Sequence, residues 1–172
     1  MARSITLALG VLVLGVPLDP AAIEPGLLTL VMILGLAAIV AIAVLIAAVC
    51  LQTRQESWSY PDAVGGALLL VSGVVFPLSV LPPPLQAIGL ITPLTWWVEG
   101  VRRALVPGTP SSIGGAGSLW ATTTGSLAPD APTIVVALLA TGALVTLGAT
   151  GIFRLSEGRA RDRGLLDQTT GS

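Results

Sequence analysis

The chain has 172 residues, 53% of them hydrophobic and only 10% charged, with a mean hydropathy of +0.92; a soluble globular domain carries about 25% charged residues. Eight arginines against nine acids leave a formal net charge of −1, which excludes the basic face of a nucleic-acid binder. One cysteine and no histidine exclude a disulfide framework, a Cys/His zinc site and a histidine base. The composition is that of an all-α integral membrane protein.

Segment 4–18 is uncharged, but as a helix its length is about 22 Å, short of the roughly 30 Å hydrocarbon core. It reads as a short or clipped first span, or as a signal peptide with Arg3 in the charged region and 5–16 as the apolar region. No A-x-A cleavage site follows, because Pro17, Leu18, Asp19 and Pro20 occupy its place, and this favours the retained span. After an acidic, proline-rich turn, 27–51 is free of charge and long enough to span with tilt, at about 38 Å. A loop with Arg54, Glu56 and Asp62 leads into a third span over 63–81, whose last turn Pro77 ends or kinks.

Pro82, Pro83 and Pro84 then turn the chain. The stretch 85–98 has 14 uncharged residues with Pro93 in the middle, a length more often re-entrant than spanning. Trp96 and Trp97 at its end suit a membrane–water boundary. Glu99 stands three and four residues before Arg102 and Arg103, so either arginine can pair with it on a helix. Such a group anchors a short helix at the outer surface, or borders a substrate exit. The stretch 107–132, rich in Gly, Ser, Thr and Pro and containing Trp120, reads as an irregular outer loop. A last span covers 133–153, and 154–172 is a charged tail.

Arginine placement orients these elements. With four spans, Arg3, Arg54, Arg154, Arg159, Arg161 and Arg163 share one side and only Arg102 and Arg103 lie on the other. A fifth span at 85–98 would give a tie. The expected architecture is therefore about four transmembrane helices plus a re-entrant helical hairpin at 84–106 on the outer side, with both termini in the cytoplasm and the chain multi-pass in the plasma membrane.

Spans 27–51, 63–81 and 133–153 hold no ionisable side chain, which argues against an ion-coupled carrier unless Glu99 reaches into the membrane. No G-x-x-x-x-G-K-[ST] loop, histidine base or metal-ligand cluster is present, so no catalytic, cofactor or metal residue is assigned. Ala37 with Ala41, Ala43 with Ala47, and Gly142 with Thr146 have the spacing of close helix contacts, a weak pattern in any alanine-rich span. Cys50 is expected to be a small buried hydrophobe.

One ordered block is more specific. Val74-Val75-Phe76-Pro77-Leu78-Ser79-Val80-Leu81-Pro82 is followed by Pro84-Leu85-Gln86-Ala87-Ile88, then by Thr92-Pro93-Leu94-Thr95-Trp96-Trp97-Val98-Glu99-Gly100-Val101-Arg102. This resembles the C-terminal half of ABC-2-type permeases, the membrane subunits of bacterial ABC exporters, drug-resistance exporters among them. The resemblance covers about 27–153. It implies a span ending in an F-P-x-x-x-L-P turn, an amphipathic re-entrant hairpin and a final span, with Pro77, Pro82, Pro93, Thr95, Glu99, Arg102 and Arg103 as hairpin or gate residues.

The resemblance also implies partners: a separate ABC ATP-binding subunit that hydrolyses the ATP, and a second permease copy. Such permeases have six spans, so this chain looks like spans three to six with the first clipped, and another chain would supply the missing pair. The expected function is an exporter subunit, or a fragment of one, that moves an amphiphilic drug, lipid or glycan and binds no cofactor itself. The alternative is a small non-transporting membrane scaffold or assembly protein.

Overall fold

A computed structural model describes residues 21–50 and 59–162, and every described element is helical. The expected first span at 4–18 lies outside the described residues.

Helix α1 (Pro25–Cys50) opens on a proline, whose fixed φ suits a first helical turn. It carries no charge and is about 39 Å long. The last helix, here α6 (Ala131–Asp162), runs on past Arg154 for two more turns, into the region expected to be a tail. Pro25–Ala48 and Ala131–Arg154 are long and apolar enough to cross a membrane, and only 22% and 17% of their apolar windows are buried inside the fold. Ile33, Val40, Val136 and Leu147 are all exposed, as lipid-facing or partner-facing helices require. Threonine hydroxyls within these helices return to the carbonyl one turn back, as Thr29 does to Pro25 at 2.8 Å and Thr141 to Ala137 at 2.7 Å. They therefore add no unsatisfied polar group to an apolar environment.

The two long helices lie side by side and run parallel. Val31 of α1 and Ile134 of α6 flank the same residue, Gly100, and further down Ala38 meets Gly142. The buried stripe of α1 is Val31, Gly35, Ala38, Ala41 and Ala48, at helical spacing. Of the small residues picked out by spacing, Ala41 and Gly142 lie toward this seam, whereas Ala37, Ala43 and Ala47 are exposed. Cys50 is half-buried.

Two spanning helices that run parallel need one net return of the chain between them. That return is not the single helix expected over 63–81. Helix α2 (Ser59–Val71) is about 20 Å long and stops well before Pro77. Ser72 donates its N–H to Leu68 at 2.9 Å and its hydroxyl to Leu69 at 3.1 Å, and Gly73 then adopts φ +76°, a left-handed conformation open to glycine. An irregular stretch leads to a 3-10 turn at Leu78–Val80. Of the three spans expected within the described residues, two form helices long enough to cross a membrane.

Pro82 precedes helix α3 (Pro83–Ile91), whose first turn holds Pro83 and Pro84, so the proline run starts a helix as well as turning the chain. Thr92 is extended, with φ −82° and ψ 124°, as a residue before proline prefers. Pro93 then opens helix α4 (Pro93–Leu105). The stretch 85–98 is therefore two arms meeting at Thr92. Helix α4 lies against both long helices and antiparallel to them: Glu24 N–H donates to Ala104 O at 3.1 Å, Gly100 sits at the level of Val31, and Trp97 lies on Gly35. Thr95, just below, donates its hydroxyl to Val71 O at 3.4 Å. Helix α2 ends there, at the mid-height of α1, and α4 completes the path to the end where α1 begins.

The loop after α4 is more ordered than its composition suggests. Ser112, Ile113 and Ser118 are buried, and helix α5 (Leu119–Thr124) is capped by the Ser118 side chain and closed by Gly125. Trp96 and Trp120 pack edge to face at 5.6 Å. Trp96 is buried in the core with Val31, Ile113, Ile134 and Leu138 and donates its indole N–H to Leu90 O at 2.8 Å. Trp96 thus packs inside the bundle, on the α4 face clamped between α1 and α6, and Trp97 is half-buried.

Candidate functional site

Helix α4 is strongly two-faced. Pro93, Thr95, Trp96, Glu99, Gly100 and Ala104 are buried, and Arg102 and Arg103 occupy its last turn. The buried glutamate is compensated on three sides. Ser112 donates both its N–H, at 3.0 Å, and its hydroxyl, at 2.7 Å, to Glu99 Oε2, and Arg102 Nη1 stands 3.7 Å from the same oxygen. A buried carboxylate needs this compensation. The carbonyl of Ser112 in turn accepts from Leu78 N–H at 2.7 Å. One loop residue thus ties α4 to the 3-10 turn behind it.

The two arginines diverge. Arg102 Nη2 reaches Gly73 O at 3.4 Å, bracing the break after α2, and Arg103 Nη1 donates to Pro129 O at 2.9 Å, just ahead of α6. Of the two helical pairings open to Glu99, the fold uses the one with Arg102. A cleft of about 250 Å³ opens here, lined by Glu24, Glu99, Arg102, Arg103, Thr109 and Ser111 among others. It lies at the end of the bundle where α1 and α6 begin and α4 ends.

Of the sequence-predicted residues, the fold brings Glu99, Arg102 and Arg103 together at this cleft. Thr95 and Pro93 are buried lower on the same helix, where they hold the apex of the two arms. Pro77 and Pro82 are exposed in the turns before α3 and do not line the cleft. Three participants escaped sequence reasoning. Ser112 lies in a Gly/Ser-rich loop with no spacing motif, and Glu24 comes to α4 from far away in the chain. Gln86, buried on α3, accepts from Leu119 N–H at 2.6 Å and donates to Leu81 O at 2.7 Å. Its place four residues after Pro82 was the one local hint.

Asp130, outside the spans, has its carboxyl pKa held below the ordinary value of 3.8, chiefly by the Thr133 hydroxyl that donates to it, then by its own backbone N–H, with a smaller contribution from Arg103. A depressed folded pKa contributes stability above the unfolded value, lost as pH falls through the folded one. Thermal melts of the detergent-solubilised chain between pH 6 and pH 3 are expected to fall less steeply for Asp130→Asn than for the wild type. Identical slopes would show that this carboxylate has no part in acid lability.

A family model for the ABC-2 type transporter matches residues 1–106, whereas no curated protein and no solved structure gives a match. The matched stretch contains α1, α2 and both arms of the α3–α4 unit, and it stops one residue past the end of α4. It includes more than half of the chain and all four charged residues of the cleft, and the chain therefore belongs to the ABC-2 type transporter family, whose members are membrane components of transporters.

Proposed function

We propose that the chain is a permease subunit, or part of one, of an ATP-driven exporter for an amphiphilic substrate. The family normally works with an ATP-binding subunit in a membrane complex, and that subunit would carry all nucleotide chemistry, leaving this chain without a cofactor. The observation that carries the reading is the broken α3–α4 unit. Its apex lies at the mid-height of α1, its outer end is braced by Glu99, Ser112 and Arg102, and only one arm is seated between the long helices. A short helix seated between two longer ones and ended by a break at Thr92 is an element that shifts as a unit. In this reading the cleft end faces outward and the long α6 extension faces the ATP-binding subunit, with both termini cytoplasmic and a second copy completing the path.

The test is co-reconstitution of the full chain with an ABC ATP-binding subunit from the same genome. The subunit is expected to co-purify with the chain, and its ATP turnover in proteoliposomes to rise several-fold over the subunit alone. Absence of both association and stimulation would overturn the exporter reading in favour of a non-transporting scaffold.

A further inference from the structure

We infer that the cleft between the start of α1 and the end of α4 binds the head of an amine-bearing zwitterionic phospholipid, with the phosphate on Arg102 and Arg103 and the ammonium on Glu24. The inference stands apart from export, since it concerns equilibrium binding to this chain alone.

The charges of the cleft are paired unevenly. Glu99 is satisfied within the fold by Ser112 and Arg102. The Glu24 carboxylate is exposed and has no hydrogen bond or ion pair among the described residues, although its N–H fixes it beside the last turn of α4 at 3.1 Å from Ala104 O. Each guanidinium carries five N–H donors in a planar fork suited to phosphate, and each gives one hydrogen bond, to a main-chain carbonyl. The cleft thus presents unused donors on one wall and an unpaired carboxylate on another. A plain anion would meet Glu24, and a plain cation would meet two guanidiniums. A dipolar head satisfies both walls.

The position selects a lipid over a free zwitterion. The cleft sits at the end of two spanning helices, above the exposed Leu30 and Ile33 of α1, and Leu127, 67% exposed, stands beside Ala128 in the cleft wall. Acyl chains have apolar surface to follow directly from the head.

The test titrates the detergent-solubilised full chain with phosphatidylethanolamine and phosphatidylglycerol and counts bound lipid by native mass spectrometry. The wild type is expected to retain phosphatidylethanolamine about fivefold more than phosphatidylglycerol, as one extra charge pair allows. Glu24→Gln is expected to erase that preference and Glu24→Asp to keep it, while Arg103→Gln weakens both lipids. Equal retention of the two lipids by the wild type would overturn the proposal, as would an undiminished preference in Glu24→Gln. Soluble glycerophosphoethanolamine at the same concentration is expected to displace nothing; displacement would overturn the lipid as the source of the headgroup.

Discussion

Glu99→Ala is expected to destabilise the fold by about 2–4 kcal/mol, the cost of leaving two buried donors without their acceptor. The substitution strands the buried Ser112 N–H and hydroxyl and removes the charge partner of the part-exposed Arg102. Glu99→Gln keeps an amide oxygen for Ser112 and loses only the charge, so its cost is smaller. Ser112→Ala, which removes one hydroxyl donor, costs about 1–2 kcal/mol. Because Ser112 O also holds Leu78 N–H, loss of the glutamate frees the loop and the 3-10 turn together. Thermal unfolding in detergent measures the order Ala, then Gln, and limited proteolysis within the 106–118 loop reports the release. A Glu99→Ala protein with wild-type melting and an uncut loop would sink the account of Glu99 as the loop's anchor.

The second large effect is steric. A Cβ on Gly35 would fall inside the envelope of the Trp97 indole, and one on Gly100 would lie 2.8 Å from Val31 Cγ1 and 3.2 Å from Ile134 Cγ2. These two glycines let α4 sit flush between α1 and α6, where small residues allow close helix approach. Gly35→Ala is expected to cost about 1–3 kcal/mol through overpacking, and Trp97→Ala more, by leaving a cavity. The double variant should be less destabilised than the sum of the singles, by about 1 kcal/mol or more, since removing the ring removes the clash. Strict additivity in a melting-based double-mutant cycle would show that Trp97 does not rest on Gly35.

Hydropathy and charge made the long apolar helices readable, because spanning a bilayer demands a length that composition displays directly. The proline-led breaks before α3 and α4 were readable too, since proline acts on its own backbone and on the residue before it. The end of α2 was not. Residues 72–81 are as apolar as a span, and the helix stops at Val71 through contacts to Thr95 and a left-handed Gly73 that no local pattern announces. The loop after α4 misled by composition: its Gly and Ser residues suggested solvent exposure, yet Ser112 and Ile113 are buried because Glu99 and the tryptophan core need them. For the site, the spacing of Glu99, Arg102 and Arg103 signalled a charged group on one helix. Which arginine pairs, and that Glu24 faces the same cleft, follow from packing between distant segments.

The parallel course of α1 and α6 has an electrostatic consequence. Peptide dipoles place partial positive charge at a helix start and partial negative charge at its end, so two parallel neighbours set like poles side by side in a medium that screens them poorly. Helix α4, antiparallel to both, inserts an opposite pole between them. The ionisable groups follow the same plan: Glu24 stands immediately before α1, Asp130 immediately before α6, and Arg102 and Arg103 close α4. Each of the three helix ends that meet at the cleft thus carries side-chain charge of the opposite sign, and moving α4 along the bundle would uncover all three poles together.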